Sequence, residues 1–217
     1  MDEQAEALIV ESILRARPDD GIIGEEGTAR PSNSGITWVI DPLDGTVNYF
    51  YGLPGWNVSI AARDAEGSLV GVVAAPTINS LWYAIRGGGA FHNGQKIRCT
   101  SQVSLDRALL GTGFAYDVAD RTEQIAMVAA LLPRSRDIRR MGSAAVDLCH
   151  VGMGALDGYF ERGLKEWDWA AGALVATEAG AGVAHLGDLE DGARKLTVAG
   201  GPGLFQVLQD ALLGLER

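Results

Sequence analysis

The segment Thr37-Trp38-Val39-Ile40-Asp41-Pro42-Leu43-Asp44-Gly45-Thr46 constrains this chain more than any other. Four bulky residues predict a buried strand, and that strand runs straight into two aspartates placed three apart. Pro42 lacks an N–H and favours an extended turn, and Gly45 relaxes the backbone. Thr46 is placed to cap a following helix through Asn48 and Tyr49. Two carboxylates held on a tight turn suit hard divalent cations, which prefer rigid oxygen ligands and can sit in pairs ~3.5–4 Å apart. The helix N-terminus beyond Gly45 would point free N–H groups at the same place, as a phosphate requires. With 28 acidic residues in 217, an acid three places after another arises about 3–4 times by chance, so the spacing alone does not separate a metal site from a solvated turn. The position at the end of an apolar strand is what gives it weight.

The rest of the chain reads as alternating elements. Residues 3–17 form an amphipathic helix, with Leu8, Ile9, Ile13 and Ala16 on one face, Glu3, Glu6 and Glu11 elsewhere, Asp2 at the N-cap and Pro18 as the stop. A short strand, 21–24, ends at Glu25-Glu26, and residues 27–35 read as an exposed loop. Strands are expected over 58–63, 69–75 and 81–85 and on both sides of an Asn93-Gly94 turn. After residue 104 come a helix over 121–132, a strand over 137–141, a helix over 143–152, a strand over 157–161, and helices over 168–180 and 204–215. No repeat or linker divides the chain, so residues 1–217 are expected to act as one unit of layered α/β type.

Several chemistries are excluded. The three histidines are scattered, which rules out a His-Glu-x-x-His zinc site, and two cysteines cannot build a Cys cluster. There is no Gly-x-Ser-x-Gly elbow, no Walker loop and no arginine six positions after either cysteine. A formal charge of −10 disfavours nucleic-acid and membrane-surface partners and leaves cations to reconcile the protein with an anionic ligand. No signal peptide or membrane-length apolar run is present, so a cytoplasmic protein is expected.

Two further acids stand at the ends of expected elements: Glu25 after Ile22-Ile23-Gly24, and Asp168 between Trp167 and Trp169 at the start of a helix. Asp168 is equally suited to favour the helix dipole. Taken together, Gly24-Glu25-Glu26, the Trp38–Thr46 segment and Trp167-Asp168-Trp169-Ala170-Ala171-Gly172 resemble the signatures of the inositol monophosphatase family. The resemblance runs from Asp2 to the C-terminus. It implies an αβαβα sandwich shared with fructose-1,6-bisphosphatase, a homodimer, and hydrolysis of small phosphate monoesters by a metal-activated water. It further implies two or three Mg²⁺ ions, with Mn²⁺ as a substitute, held by Glu25, Asp41, Asp44, Asp168 and the carbonyl of Leu43. Gly45 and Thr46 would hold phosphate, and Glu25 and Thr46 would serve the attacking water. A haloacid-dehalogenase aspartyl nucleophile is disfavoured, because its two aspartates are spaced differently.

On the same resemblance, Gly142, Ser143, Ala144, Glu161 and Asp168 would contact the substrate, with Glu161 accepting hydrogen bonds from inositol hydroxyls. Arg139 and Arg140 are equally suited to a dimer surface, a substrate rim or solvent. Asp2 aligns with a family aspartate that helps hold a catalytic water or a third metal. The family's preceding helix and hairpin would lie before Asp2, so a truncated N-terminus, or a start further upstream, is expected, with apolar surface exposed on the helix that begins at Glu3. Inositol-1-phosphate is the first expected substrate. Histidinol phosphate, fructose-1,6-bisphosphate and a 3′-phosphonucleotide are alternatives, and an inactive or regulatory binding protein is the rival of another class.

Overall fold

The computed structural model describes residues 1–186 and 195–215; positions 187–194 and 216–217 of the expected 1–217 unit lie outside the described residues. In chain order the elements begin with α1 (Asp2–Ala16), β1 (Gly21–Gly24), β2 (Ala29–Arg30), β3 (Thr37–Asp44) and α2 (Thr46–Phe50). A meander follows: β4 (Asn57–Asp64), β5 (Gly67–Ala75), β6 (Ser80–Ile85), β7 (Gly89–His92) and β8 (Gln95–Lys96). The remainder comprises β9 (Leu109–Thr112), α3 (Val118–Leu131), β10 (Asp137–Arg139), α4 (Ala144–Gly152), β11 (Gly158–Arg162), α5 (Glu166–Glu178), β12 (Gly182–Leu186), β13 (Leu196–Gly200) and α6 (Phe205–Leu213).

Two sheets result. The first runs β2-β1-β3-β4-β5-β6-β7-β8 and the second β10-β9-β11-β13-β12. Among the described residues, only β1 and β3 of the first sheet pair in parallel; in the second, β9 pairs in parallel with β10 and β11. Helices α4 and α5 lie between the sheets, α5 against β3 to β7 and β12, α4 against β9, β11 and β13. Helix α1 packs on β3, while Met127 and Leu131 of α3 and Leu208 and Leu212 of α6 close over Leu110, Phe160 and Val198 of the second sheet. The order is therefore α-β-α-β-α, the expected sandwich.

Helix α5 explains why two sheets can share one helical layer. Ala170 to Ala176 are all buried, so it is apolar all round, as a helix covered on both sides must be. Its small residues allow close approach. A methyl at Gly172 would sit 2.8 Å from the Ala145 carbonyl and 2.9 Å from Leu148 Cβ on α4. Val39, Ala61, Val73 and Trp82 pack from the first sheet onto the same layer.

The structure corrects several expectations. Met1, not Asp2, is the N-cap of α1, and no side chain caps that end. The predicted apolar face of α1 is only partly covered: Ile9 and Ile13 are half-buried, while Leu8 is 66% exposed, in keeping with the expected exposure of apolar surface on this helix. The fully buried residue is Glu6, held by the turn after β1, where its Oε2 accepts from Glu26 N at 2.9 Å and its Oε1 from Thr28 Oγ1 at 2.5 Å. The expected loop over 27–35 contains β2, paired antiparallel to β1. Helix α3 starts at Val118, because Asp117 accepts from Ala119 N and Asp120 N and so caps it there. Strands β9, β12 and β13 were not legible as such.

Candidate active site

A bulge at the end of β3 positions the paired aspartates. Asp41 lies opposite Ser59 and Asp44 opposite Asn57, so three steps along β3 match two along β4. Side chains alternate along a strand, and residues three apart normally face opposite ways; one inserted residue restores them to the same side. Pro42 occupies the bulge, where a ladder N–H is not needed. Gly45 follows with φ 82°, a left-handed conformation that favours glycine.

Neighbouring elements bring the other acids to this point. The parallel register sets Gly24 opposite Ile40, so the next residues, Glu25 and Asp41, stand side by side, with Glu25 N bonded to the Ile40 carbonyl at 3.1 Å. Asp168 is in the first turn of α5 and accepts from Lys165 N at 2.6 Å, which stabilises the helix start. Ser143 caps α4, accepting from Val146 N at 3.1 Å.

These residues line one cavity of about 380 Å³. Its walls include Glu25, Asp41, Leu43, Asp44, Gly45, Thr46, Gly142, Ser143, Ala144, Glu161 and Asp168. Asp2 is not in the lining, although its charge acts on Glu25. Eight carboxylic acids and three basic side chains face the cavity. Such an excess of acid demands cations before an anion can enter.

The proton affinities reflect this crowding. Asp41 is buried, and loss of hydration followed by the charges of Asp44 and Glu25 pushes its carboxyl well above the usual range. Glu25 keeps much of its surface in solvent at the mouth, yet it too is raised, by partial loss of hydration and by Glu26, Asp44 and Asp2. Asp168 is pushed up to about 7 by burial and then by Asp44 and Glu25. Glu161 reaches about 7 through burial, although Tyr159 donates its hydroxyl to it. Asp44 is raised by burial despite hydrogen bonds from Ser143, Asn57, Ala145 and Gly45.

The donor set fits a hard divalent cation in chemistry, since every candidate ligand is an oxygen. Among the described residues, no three His, Cys, Asp or Glu side chains gather tightly enough to enclose an ion by themselves. Asp44 is turned towards Ser143, Asn57 and Ala145, and Asp168 towards Lys165 N. A hard divalent cation does not require an all-protein cage, since water and phosphate oxygens can complete its coordination.

One expectation about local hydrogen bonding changes. Thr46 does not cap α2; its hydroxyl donates to the Leu43 carbonyl at 3.1 Å, and Gly45 is the N-cap. Gly45 N–H turns to the Asp44 carboxylate and is not free. Sequence reasoning also missed three residues. Asn57 donates from Nδ2 to Asp44 at 3.2 Å and to Ser143 at 2.7 Å. Asn48 donates to the carbonyls of Pro54 and Met141 at 3.1 and 2.8 Å, tying the loop after α2 to the segment before Ser143. Asp147 lies buried in the cavity wall. Only its position four residues after the Ser143 cap could have signalled it.

Comparison with known proteins agrees with this architecture. Residues 1–205 match the inositol monophosphatase family. The inositol-1-monophosphatase SuhB of Mycobacterium tuberculosis (strain ATCC 25618 / H37Rv) is 43% identical over 222 residues, covering 98% of this chain and 76% of that protein. The Nus factor SuhB of Haemophilus influenzae is 46% identical over 182 residues, 83% of this chain and 68% of that protein. The solved structure of Mycobacterium tuberculosis SuhB superposes with a TM-score of 0.89 at 42% identity, covering 99% of this chain and 84% of that one.

Proposed function

We infer, from the premise that the chain belongs to the inositol monophosphatase family, that it hydrolyses a small polyol phosphate monoester, inositol-1-phosphate first among them, with Mg²⁺ as cofactor. One observation carries the reading: acids just after β1, at the end of β3 and at the start of α5, distant in sequence, line a single acid-rich cavity beside Gly45 and Thr46. Phosphate-monoester hydrolysis is among the slowest uncatalysed reactions, and its catalysis rests on positioning and charge neutralisation.

Glu25, Asp41, Asp44, Asp168 and the Leu43 carbonyl would hold the cations. When bound, divalent cations supply Lewis acidity and charge neutralisation at the phosphoryl group. The chain's own residues do the rest. Thr46 would hold the phosphate at the turn after β3, and Gly45, whose N–H goes to Asp44, would shape that turn through its left-handed backbone. Ser143 and Asn57 fix the Asp44 carboxylate. Glu161 accepts from substrate hydroxyls, and Gly142, Ser143 and Ala144 form the wall beside them. No protein nucleophile is needed.

The deciding experiment is phosphate release from inositol-1-phosphate with and without Mg²⁺, beside histidinol phosphate, fructose-1,6-bisphosphate and a 3′-phosphonucleotide. Mg²⁺-dependent turnover fastest on inositol-1-phosphate is expected; absence of turnover on every ester with any divalent metal defeats the proposal. A second reading, a binding role towards a partner protein, is favoured by relatives named Nus factor SuhB. The two readings separate in an Asp41→Asn variant. It should lose phosphatase activity, and it should retain partner binding only if that role exists apart from catalysis.

A further inference from the structure

Helix α4 is buried along nearly its whole length by Ala144, Ala145, Val146, Leu148, Cys149 and Val151. Asp147 interrupts that run. It is 1% exposed, its Oδ1 has no hydrogen-bond partner among the described residues, and it lines the same cavity as the metal-site acids. A methyl at Gly111 of β9 would stand in ordinary contact, 3.6 Å, with its carboxyl carbon, so the side chain lies against β9. A buried carboxylate without a donor is unfavourable, and native structures rarely keep one without a purpose.

Charge identifies its surroundings. Burial raises the proton affinity of Asp147, the carboxylates of Glu161 and Asp44 raise it further, and the Arg140 guanidinium lowers it. Tyr159, whose hydroxyl feels both Glu161 and Asp147, gives its own proton to Glu161 and leaves Asp147 unserved.

We propose that Asp147 is a specificity-determining acceptor at the polyol end of the cavity, taking a hydrogen bond from a substrate hydroxyl on the side away from the phosphate. The proposal rests on the phosphatase reading above and deepens it. It predicts that the enzyme prefers hydroxyl-bearing phosphate esters over aryl phosphates because two acids, Glu161 and Asp147, face the substrate's hydroxyls.

The test compares inositol-1-phosphate with 4-nitrophenyl phosphate, which has no hydroxyl to offer, in the full chain with Mg²⁺. Asp147→Leu should raise KM for inositol-1-phosphate about tenfold, the change carried by one lost hydrogen bond. Kinetics on 4-nitrophenyl phosphate should stay within about twofold. Asp147→Asn keeps an acceptor and should recover part of the loss; it also carries the test if the leucine variant does not fold. An equal fall on both substrates would assign Asp147 a structural role and overturn the proposal, as would no change on either. A loss confined to histidinol phosphate would name an ammonium as the donor and overturn it too. Should wild type turn over no ester, the phosphatase reading fails by itself. Calorimetry with myo-inositol alone then decides for Asp147: binding lost in Asp147→Leu supports it, and equal or absent binding in wild type overturns it.

Discussion

Ser143 donates its hydroxyl proton to Asp44 Oδ2 over 2.5 Å, joining residues 99 positions apart. The Ser143 hydroxyl oxygen in turn accepts from Asn57 Nδ2 and from Val146 N, so its one donor and two acceptor sites are all used. One hydroxyl therefore caps α4 and sets the direction of an acid at the end of β3. The first sheet and the middle helical layer meet at the candidate metal site through it.

Ser143→Ala should consequently harm stability and activity together. Losing an N-cap costs ~1 kcal/mol, and Asp44 loses a donor as well. Thermal unfolding should show a lower midpoint, and the Mg²⁺ concentration for half-maximal activity should rise. Ser143→Thr keeps the hydroxyl and should restore both. An alanine variant that melts lower but needs no more Mg²⁺ would show that the cap matters and the Asp44 contact does not.

Excess Mg²⁺ should raise the melting temperature of the wild-type chain. Binding to the folded state at a hundred times its Kd stabilises by ~2.7 kcal/mol, about 5–10 °C for a chain of this size. In an E25Q/D41N double variant the shift should vanish. Its metal-free melting point should not fall below that of wild type, because two crowded carboxyls, both raised in proton affinity by lost hydration and by their neighbours, become neutral amides. A metal-induced shift unchanged in the double variant would remove Glu25 and Asp41 from the ligand set.

The site was more legible in the sequence than the sheets that carry it. Asp41, Asp44 and Glu25 stand where apolar strands stop, and a strand end is readable from local chemistry. Their meeting was not readable that way, because it depends on a parallel register between β1 and β3 and on a one-residue bulge. β9 and β13 escaped notice for a related reason. Leu109-Leu110-Gly111-Thr112 and Leu196-Thr197-Val198-Ala199-Gly200 are short and buried nearly throughout, so they lack the alternation that marks a strand with one wet face. Glu6 misled in the opposite direction. A glutamate on an amphipathic helix reads as solvent-facing, and its burial depends on backbone donors at Glu26 and Thr28, twenty and more residues away.

His185 should give the chain a pH-dependent stability. It lies opposite Thr197 in the β12–β13 pair, with Nδ1 3.0 Å from the Thr197 hydroxyl and its ring 4.0 Å from that of Trp169. Burial, and secondarily the charge of Lys195, pushes it down to about 4. The unfolded chain, with histidine near its ordinary value of about 6.5, then binds the proton first. The contribution of this group is present above pH ~6.5 and is lost as pH falls towards 4. Urea unfolding between pH 7.5 and 4.5 should show wild type losing more stability than His185→Gln over that interval. Parallel curves for the two would rule out a depressed histidine.

Gly113 follows β9 with no side chain, and a methyl there would fall on the Glu161 carboxylate. Gly113→Ala must therefore push Glu161 away from Tyr159, whose hydroxyl now holds it. If Glu161 receives substrate hydroxyls, this indirect displacement should imitate its removal. KM for inositol-1-phosphate should rise about tenfold in both Gly113→Ala and Glu161→Ala, and combining them should add little, because both act through one carboxylate. Hydrolysis of 4-nitrophenyl phosphate should change far less in each. Fully additive losses in the double variant would show that Gly113 acts on the site by some path other than Glu161.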